Sequence, residues 1–279
     1  MIVTETSASR FVAKAHLPRP PAQRRTRSST PQDSPPLQLK ANEAQTLVVG
    51  SGLVIATQKV PVQVREDLIN CTLFAQLVAT AEVGDATKVN EWYTAYFGAL
   101  SALGWAQSDQ RFEKYHFESS GAIAHEAVMP VVTALLGPQA SALTVLQAAF
   151  DGLKTMNENS PWVTLFEHHS RQERSAHFQV ATAEVAEGGV LQIALVAFDL
   201  QAQTELLQVL FFKFNKAKTT LNYSSGKATI YEAALAGQRE ALAARLAAYR
   251  TAYVGQVKLP PLPGLPPPPA QRSRSARRS

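Results

Sequence analysis

The sequence predicts an α+β protein, of the α/β kind in the broad sense, built as one three-layer α-β-α domain with a central antiparallel sheet wrapped by helices. Three observations lead there. The stretch from 188 to 231 reads as extended segments in close succession, VLQIALVAFDL, LLQVLFFKFN and KTTLNYSSGKATIY. Val190 to Phe198 is apolar at all but Gln192, and Val209 to Phe212 is apolar without a break, so both suit strands covered on each face. The segments before and after them carry single apolar stripes at helical spacing, which would supply the two covers.

Composition divides the 279 residues into a body and two tails. Residues 1–40 hold seven Lys or Arg against Glu5 and Asp33, and residues 256–279 hold five against none. The tails thus carry +5 each; because the whole chain carries +5, the body carries −5. Residues 17–39 are rich in Pro, Ser and Arg and poor in large apolar groups, so ordering them would go uncompensated. The expected organisation is a disordered basic leader over 1–40, one domain over 41–255, and a disordered Pro-rich then Arg/Ser-rich tail over 256–279. Removing either tail should leave stability nearly unchanged. Arg24, Arg25 and Arg27 in the leader, with Arg272, Arg274, Arg277 and Arg278 in the tail, are candidate contacts to an anionic surface, a lipid or an acidic macromolecule, without sequence-specific reading of nucleic acid.

One cysteine excludes an internal disulfide and argues against thiolate zinc sites. No apolar run approaches the roughly 20 residues of a spanning helix, and the N-terminus lacks the apolar centre of a secretory signal. Synthesis as a soluble cytoplasmic protein is expected, with release by a non-classical route left open.

Within the body, TLVVGSGLVIAT (46–57) is an apolar run broken by Gly50-Ser51-Gly52, a bulged strand or a short hairpin. It lacks the Lys-Ser/Thr of a phosphate loop and the third Gly of a dinucleotide loop. Val64, Leu68, Cys71, Ala75 and Val78 mark one face of a helix over 62–83. Cys71 in that stripe reads as a small hydrophobe, with acylation the lesser alternative. Val89, Trp92, Tyr93, Tyr96, Leu100 and Leu103 mark a second helix, making a hairpin with the first. Its aromatics read as packing, with a ligand-stacking box as the alternative.

WAQSDQRFEKYHFE (105–118) mixes charge and aromatics and suits an edge strand. Val128 to Leu136 and Leu143 to Met156 are helices, the former with Pro130 near its start. A Trp-anchored segment and a charged loop then lead to a strand over 176–185. His168, His169 and His177 cluster in sequence with Glu167 and Glu173, the nearest approach to a metal or acid-base centre, but Arg171 and Arg174 beside them oppose a cation. His116 and His125 read as surface imidazoles. No Gly-x-Ser-x-Gly elbow occurs, and no nucleophile, base and orienting residue can be named, so neither an enzyme nor a cofactor is expected. Ser224-Ser225-Gly226 reads as a turn inside the third extended segment, and 232–254 as one Ala-rich helix.

The succession LTVLQAAFDGLKTMN, PWVTLF, HFQVATAEV, Gly188-Gly189, VLQIALVAFDL and QVLFFKF resembles the core of the Cyt-type insecticidal cytolysins and a related bacterial virulence factor, over Leu143 to Phe214. The resemblance implies helical layers around an antiparallel sheet, made soluble and later meeting a lipid surface. It implies that Val190 to Leu200 and Leu206 to Phe214 insert or lie on the bilayer, with Val190, Ile193, Leu195, Phe198, Val209, Leu210, Phe211 and Phe212 as lipid-contacting candidates and a homo-oligomer as the assembled form. Cys71 lies outside the matching region, so an acylated cysteine does not carry over. The basic tails depart from the family and support an alternative, a self-assembling structural or cargo-type protein that binds an acidic partner.

Overall fold

The computed structural model describes residues 7–21, 37–85, 87–115, 124–138, 140–155, 160–171, 175–185, 190–202 and 219–257. Among the described residues seven strands form one sheet: β1 (Gln45–Val49), β2 (Gly52–Ala56), β3 (Ala106–Tyr115), β4 (Ser175–Val185), β5 (Val190–Ala202), β6 (Thr219–Tyr231) and β7 (Val254–Val257), in the order β3-β6-β5-β4-β2-β1-β7. β4, β5 and β6 make the long antiparallel meander, with β3 antiparallel at the edge as its charged sequence predicts. Neighbours pair antiparallel throughout except at one join, where β2 runs parallel to β4, Gly52 opposite Gln179. The sequence pattern is silent there, because parallel pairing joins strands far apart in the chain.

Alternation along the strands sends each apolar row to one of two cores. Leu47, Val54, Ala181, Ile193 and Leu195 face one helical layer; Val48, Ile55, Val180, Phe198 and Leu200 face the other. The first layer contains α1 (Ser7–Lys14), α2 (Val62–Val83), α3 (Val89–Ala102), α7 (Glu232–Ala236) and α8 (Arg239–Leu246). The second contains α4 (Ala124–Leu136), α5 (Ser141–Thr155) and α6 (Pro161–Ser170). The doubly apolar reading of Val190 to Phe198 therefore matches a three-layer sandwich.

Helix α2 has the bounds its periodicity predicts, but it is buried all round, not on one stripe. Its outer side is sealed by the C-terminal helices. Arg239 grips the buried Asp67 carboxylate through Nε (2.9 Å to each oxygen) and Nη2 (2.7 Å), and Arg250 of α9 (Arg250–Tyr253) meets Glu66 and donates to Asn70 Oδ1 at 3.3 Å. Arg65, fully buried, donates to Val60 O, Thr57 O and Gln45 Oε1, so its charge is satisfied by oxygens.

Four expectations need correction. The leader is not disordered over 7–21: α1 buries Val12, sets Phe11 edge-on against Phe74 at 5.8 Å, and receives bonds from Arg245 to Ala15 O and from Tyr249 to Pro18 O. An amphipathic turn beside an apolar surface gains burial that its composition alone does not reveal. Ser224-Ser225-Gly226 does not turn; β6 runs straight through, held by β5 on one side and β3 on the other, with the irregularity displaced into β3 between Ser108 and Arg111. The C-terminal helix is three short helices, interrupted where Gln238, buried, turns its amide to Leu103 O at 2.8 Å. The domain does not end at 255, because β7 continues to Val257 and pairs with β1.

Candidate functional site

Between the sheet and α2 lies a seam of buried polar groups, nucleated by the β1–β2 hairpin. Val49 pairs with Gly52 across a two-residue turn, and Gly50 has φ +55° at its first central position, which favours glycine. That resolves Gly50-Ser51-Gly52 as a hairpin. The turn is locked from three sides. Ser51 N donates to Gln76 Oε1 (3.2 Å), Gln76 Nε2 donates to Val49 O (2.8 Å), and Gly50 N donates to Tyr253 O (2.7 Å). Gln179 Oε1 accepts from Ser51 Oγ and Gln76 Nε2, both at 3.3 Å, and Gln179 N donates to Ser51 O at 3.0 Å. Further along β4, the buried Tyr93 hydroxyl reaches Phe198 O (2.8 Å) and Phe178 O (3.1 Å), and burial raises its pKa well above the ordinary phenol value.

Next to this seam a pocket of about 190 Å³ opens. Ser51, Gln76, Trp92 and His177 line its inner part; Thr80, Asp85 and His168, all exposed, stand at its mouth with His169 and Tyr253. Trp92 Nε1 donates to Thr80 Oγ1 at 3.1 Å and its ring stacks on Tyr96, centroids 5.4 Å apart and 7° from parallel. His177 lies against Trp92 at 4.8 Å and opposite Asp199 in the β4–β5 register. Burial pulls its pKa down to about 4, so the imidazole is neutral. His169 stacks on Tyr253 at 4.1 Å and 22°, with Nε2 bonded at 2.9 Å to Ala252 O; burial lowers its pKa too. Two thr-bonded contacts, from Thr87 N and Oγ1, keep the Asp85 carboxylate below the usual range.

The structure thus brings His168, His169 and His177 together, as their spacing suggests, from α6 and β4. Among the described residues no group of His, Cys, Asp and Glu could hold a metal ion. Trp92 and Tyr96 serve the packing reading, yet Trp92 also walls the pocket. Sequence reasoning missed Ser51, Gln76 and Tyr253 as pocket residues. The Gly50-Ser51-Gly52 break was the one local signal, and nothing local links it to Gln76 or Tyr253.

Of the lipid-contacting candidates, Ile193 and Leu195 face the α2/α3 layer and Phe198 the α4–α6 layer, stacked on Phe178 at 4.8 Å. Val190 begins β5 opposite Tyr231. Val209, Leu210, Phe211 and Phe212 lie outside the described residues, as do Arg24, Arg25, Arg27, Arg272, Arg274, Arg277 and Arg278. Cys71 is buried in α2, and burial pushes its thiol up to about 12, the environment of a packed rather than a reactive sulfur. No helix among the described residues is long and apolar enough to cross a membrane.

The architecture defines a class, the three-layer α-β-α sandwich on a mixed sheet. Solved structures to which the chain is similar are Cyt-type and related toxin folds. A delta-endotoxin aligns at TM-score 0.40 and 15% identity, covering 73% of this chain and 91% of its own. Activated Cyt2Ba monomer from Bacillus thuringiensis subsp. israelensis aligns at TM-score 0.30 and 11% identity (48% and 78%), and the Evf virulence factor at 0.32 and 10% (75% and 86%). No family model matches the sequence. No curated protein matches it either.

Proposed function

We propose that the protein is a non-enzymatic, cytolysin-like protein that acts on a membrane with its long strands. The observation that carries this reading is the β4–β6 meander. Its strands are 11, 13 and 13 residues long, register-paired end to end, and the two outer layers each bury a separate apolar row of β5. A tilted strand crosses a bilayer with roughly 9–11 residues, so the lengths suffice. Insertion requires a helical layer to leave the sheet and strand edges to pair between copies, because unpaired backbone groups are costly in lipid. The basic tails would draw the chain to anionic lipid in a salt-sensitive way.

The test is dye release from anionic liposomes by the full chain and by a Cys71→Ala variant carrying a disulfide between α5 and β2. Release by the reduced form, abolished on oxidation and restored by reductant, is expected. Absence of release across lipid compositions and pH would sink the reading.

Charge segregation favours a second reading, a self-assembling structural protein, since the Arg-rich C-terminal tail and the Arg24, Arg25 and Arg27 cluster would attract the acidic body of a neighbouring copy. Its signature is salt-reversible self-association in solution without membranes.

A further inference from the structure

The pocket takes no part in the membrane reading, which runs through the strands. From its chemistry we propose that it binds a neutral polyhydroxylated ring, one sugar residue, free or as the head of a glycolipid.

The inner wall is built from buried polar side chains: Ser51, Gln76 and His177 are 2%, 4% and 7% exposed. His177 makes no hydrogen bond to any described residue; its ring lies against those of Trp92 and Tyr93. A neutral imidazole holds out one donor and one acceptor. The Tyr253 hydroxyl is likewise without a partner among the described residues, and Ser51 Oγ, which donates to Gln179, keeps its acceptor sites. These unspent groups both give and take, as the hydroxyls of a sugar do. Flat rings stand beside them, His169 on Tyr253 and Trp92 against His177.

Charge narrows the occupant. No Lys or Arg among the described residues lines the pocket, and its one carboxylate, Asp85, stands at the exposed mouth. A charged ligand reaching the inner wall would lose its water without a buried counter-charge, which is costly. The volume, about 190 Å³, is below the roughly 300–1,000 Å³ of sites for drug-sized ligands, so it holds one ring and not an oligosaccharide.

The experiment titrates the full chain with glucose, galactose, mannose, N-acetylglucosamine and N-acetylgalactosamine, with glucosamine and glucuronate as charged counterparts, read by ligand-observed NMR. In parallel, flotation compares liposomes with and without a neutral monohexosyl lipid. We expect a neutral sugar to bind with Kd about 1 mM or tighter and its charged counterpart about tenfold more weakly. Tyr253→Phe, which removes only a hydroxyl, and His177→Phe should each weaken binding about fivefold. Tyr253→Phe still decides if His177→Phe does not fold. Binding to the glycolipid without binding to free sugar assigns the site to a headgroup; the reverse assigns it to a soluble sugar. No binding of either by folded protein, equal binding of charged sugars, or affinity unchanged in folded Tyr253→Phe would each overturn the proposal, whatever the liposome leakage experiment shows.

Discussion

Gly50 meets two demands at once. Its φ of +55° is in the left-handed region, and a Cβ there would stand 2.1 Å from Gln76 Oε1, the atom that accepts from Ser51 N. Gly50→Ala should therefore cost on the order of 2 kcal/mol or more in urea unfolding, with part of that cost relieved in the double variant with Gln76→Ala. Gly50→Ala of unchanged stability would contradict the seam described above. His177 supplies a second test. Burial lowers its pKa from 6.5 to about 4, so the unfolded chain takes up the proton first. Stability should be flat above about pH 7, fall as pH drops through that interval, and level off below it, with a ceiling of about 3 kcal/mol from this group. Urea midpoints measured from neutral to mildly acidic pH should show a shallower slope in His177→Gln; an identical slope would remove His177 as the cause. The glycine pair and the histidine cluster were legible as local irregularities. Their partners were not, because Gln76 and Tyr253 are distant in sequence and ordinary in context.

At the scale of elements, the periodic segments behaved as their patterns dictate, and the exceptions were short or spliced. Helix α1 has eight residues, too few to be stable alone, and exists because Val12 and Phe11 find a surface on α2, α3 and α8. Deleting residues 1–21 should accordingly lower stability by about 2–4 kcal/mol, from a lost buried Val, an aromatic pair and two capped carbonyls, contrary to the neutral effect expected of a disordered leader. A thermal midpoint unchanged by that deletion would mean α1 is not docked. The Ala-rich C-terminal stretch has high helix propensity throughout, yet Gln238 breaks it, since an amide bonded to Leu103 O outweighs a few tenths of a kcal/mol of propensity.

At the scale of the whole molecule, the sheet is assembled from chain segments far apart in sequence. β1, beside β2, is covered on its other side by β7, the last described strand; Gly255 there leaves room for Leu165, whose Cδ2 would lie 3.1 Å from an added Cβ. Truncation after Tyr253 should bare the β1 edge, lower stability by about 2–4 kcal/mol, and produce concentration-dependent association through the open ladder. Light scattering and urea unfolding on the truncated chain check both effects. A monomer of undiminished stability would show that β7 is dispensable.

By itself the sequence determined the class of the protein, because hydrophobic periodicity is a local property: doubly apolar strands demand two covers, α2 follows from spacing, and the Gly50-Ser51-Gly52 break marks a bulge or a turn without deciding which. Only the tertiary structure decided the strand order, the parallel join of β2 to β4, the docking of α1 and the pocket. Each of those rests on contacts between residues tens to hundreds of positions apart, such as Ser51 with Gln179 or His169 with Tyr253, whose energies depend on a packing that no single segment contains.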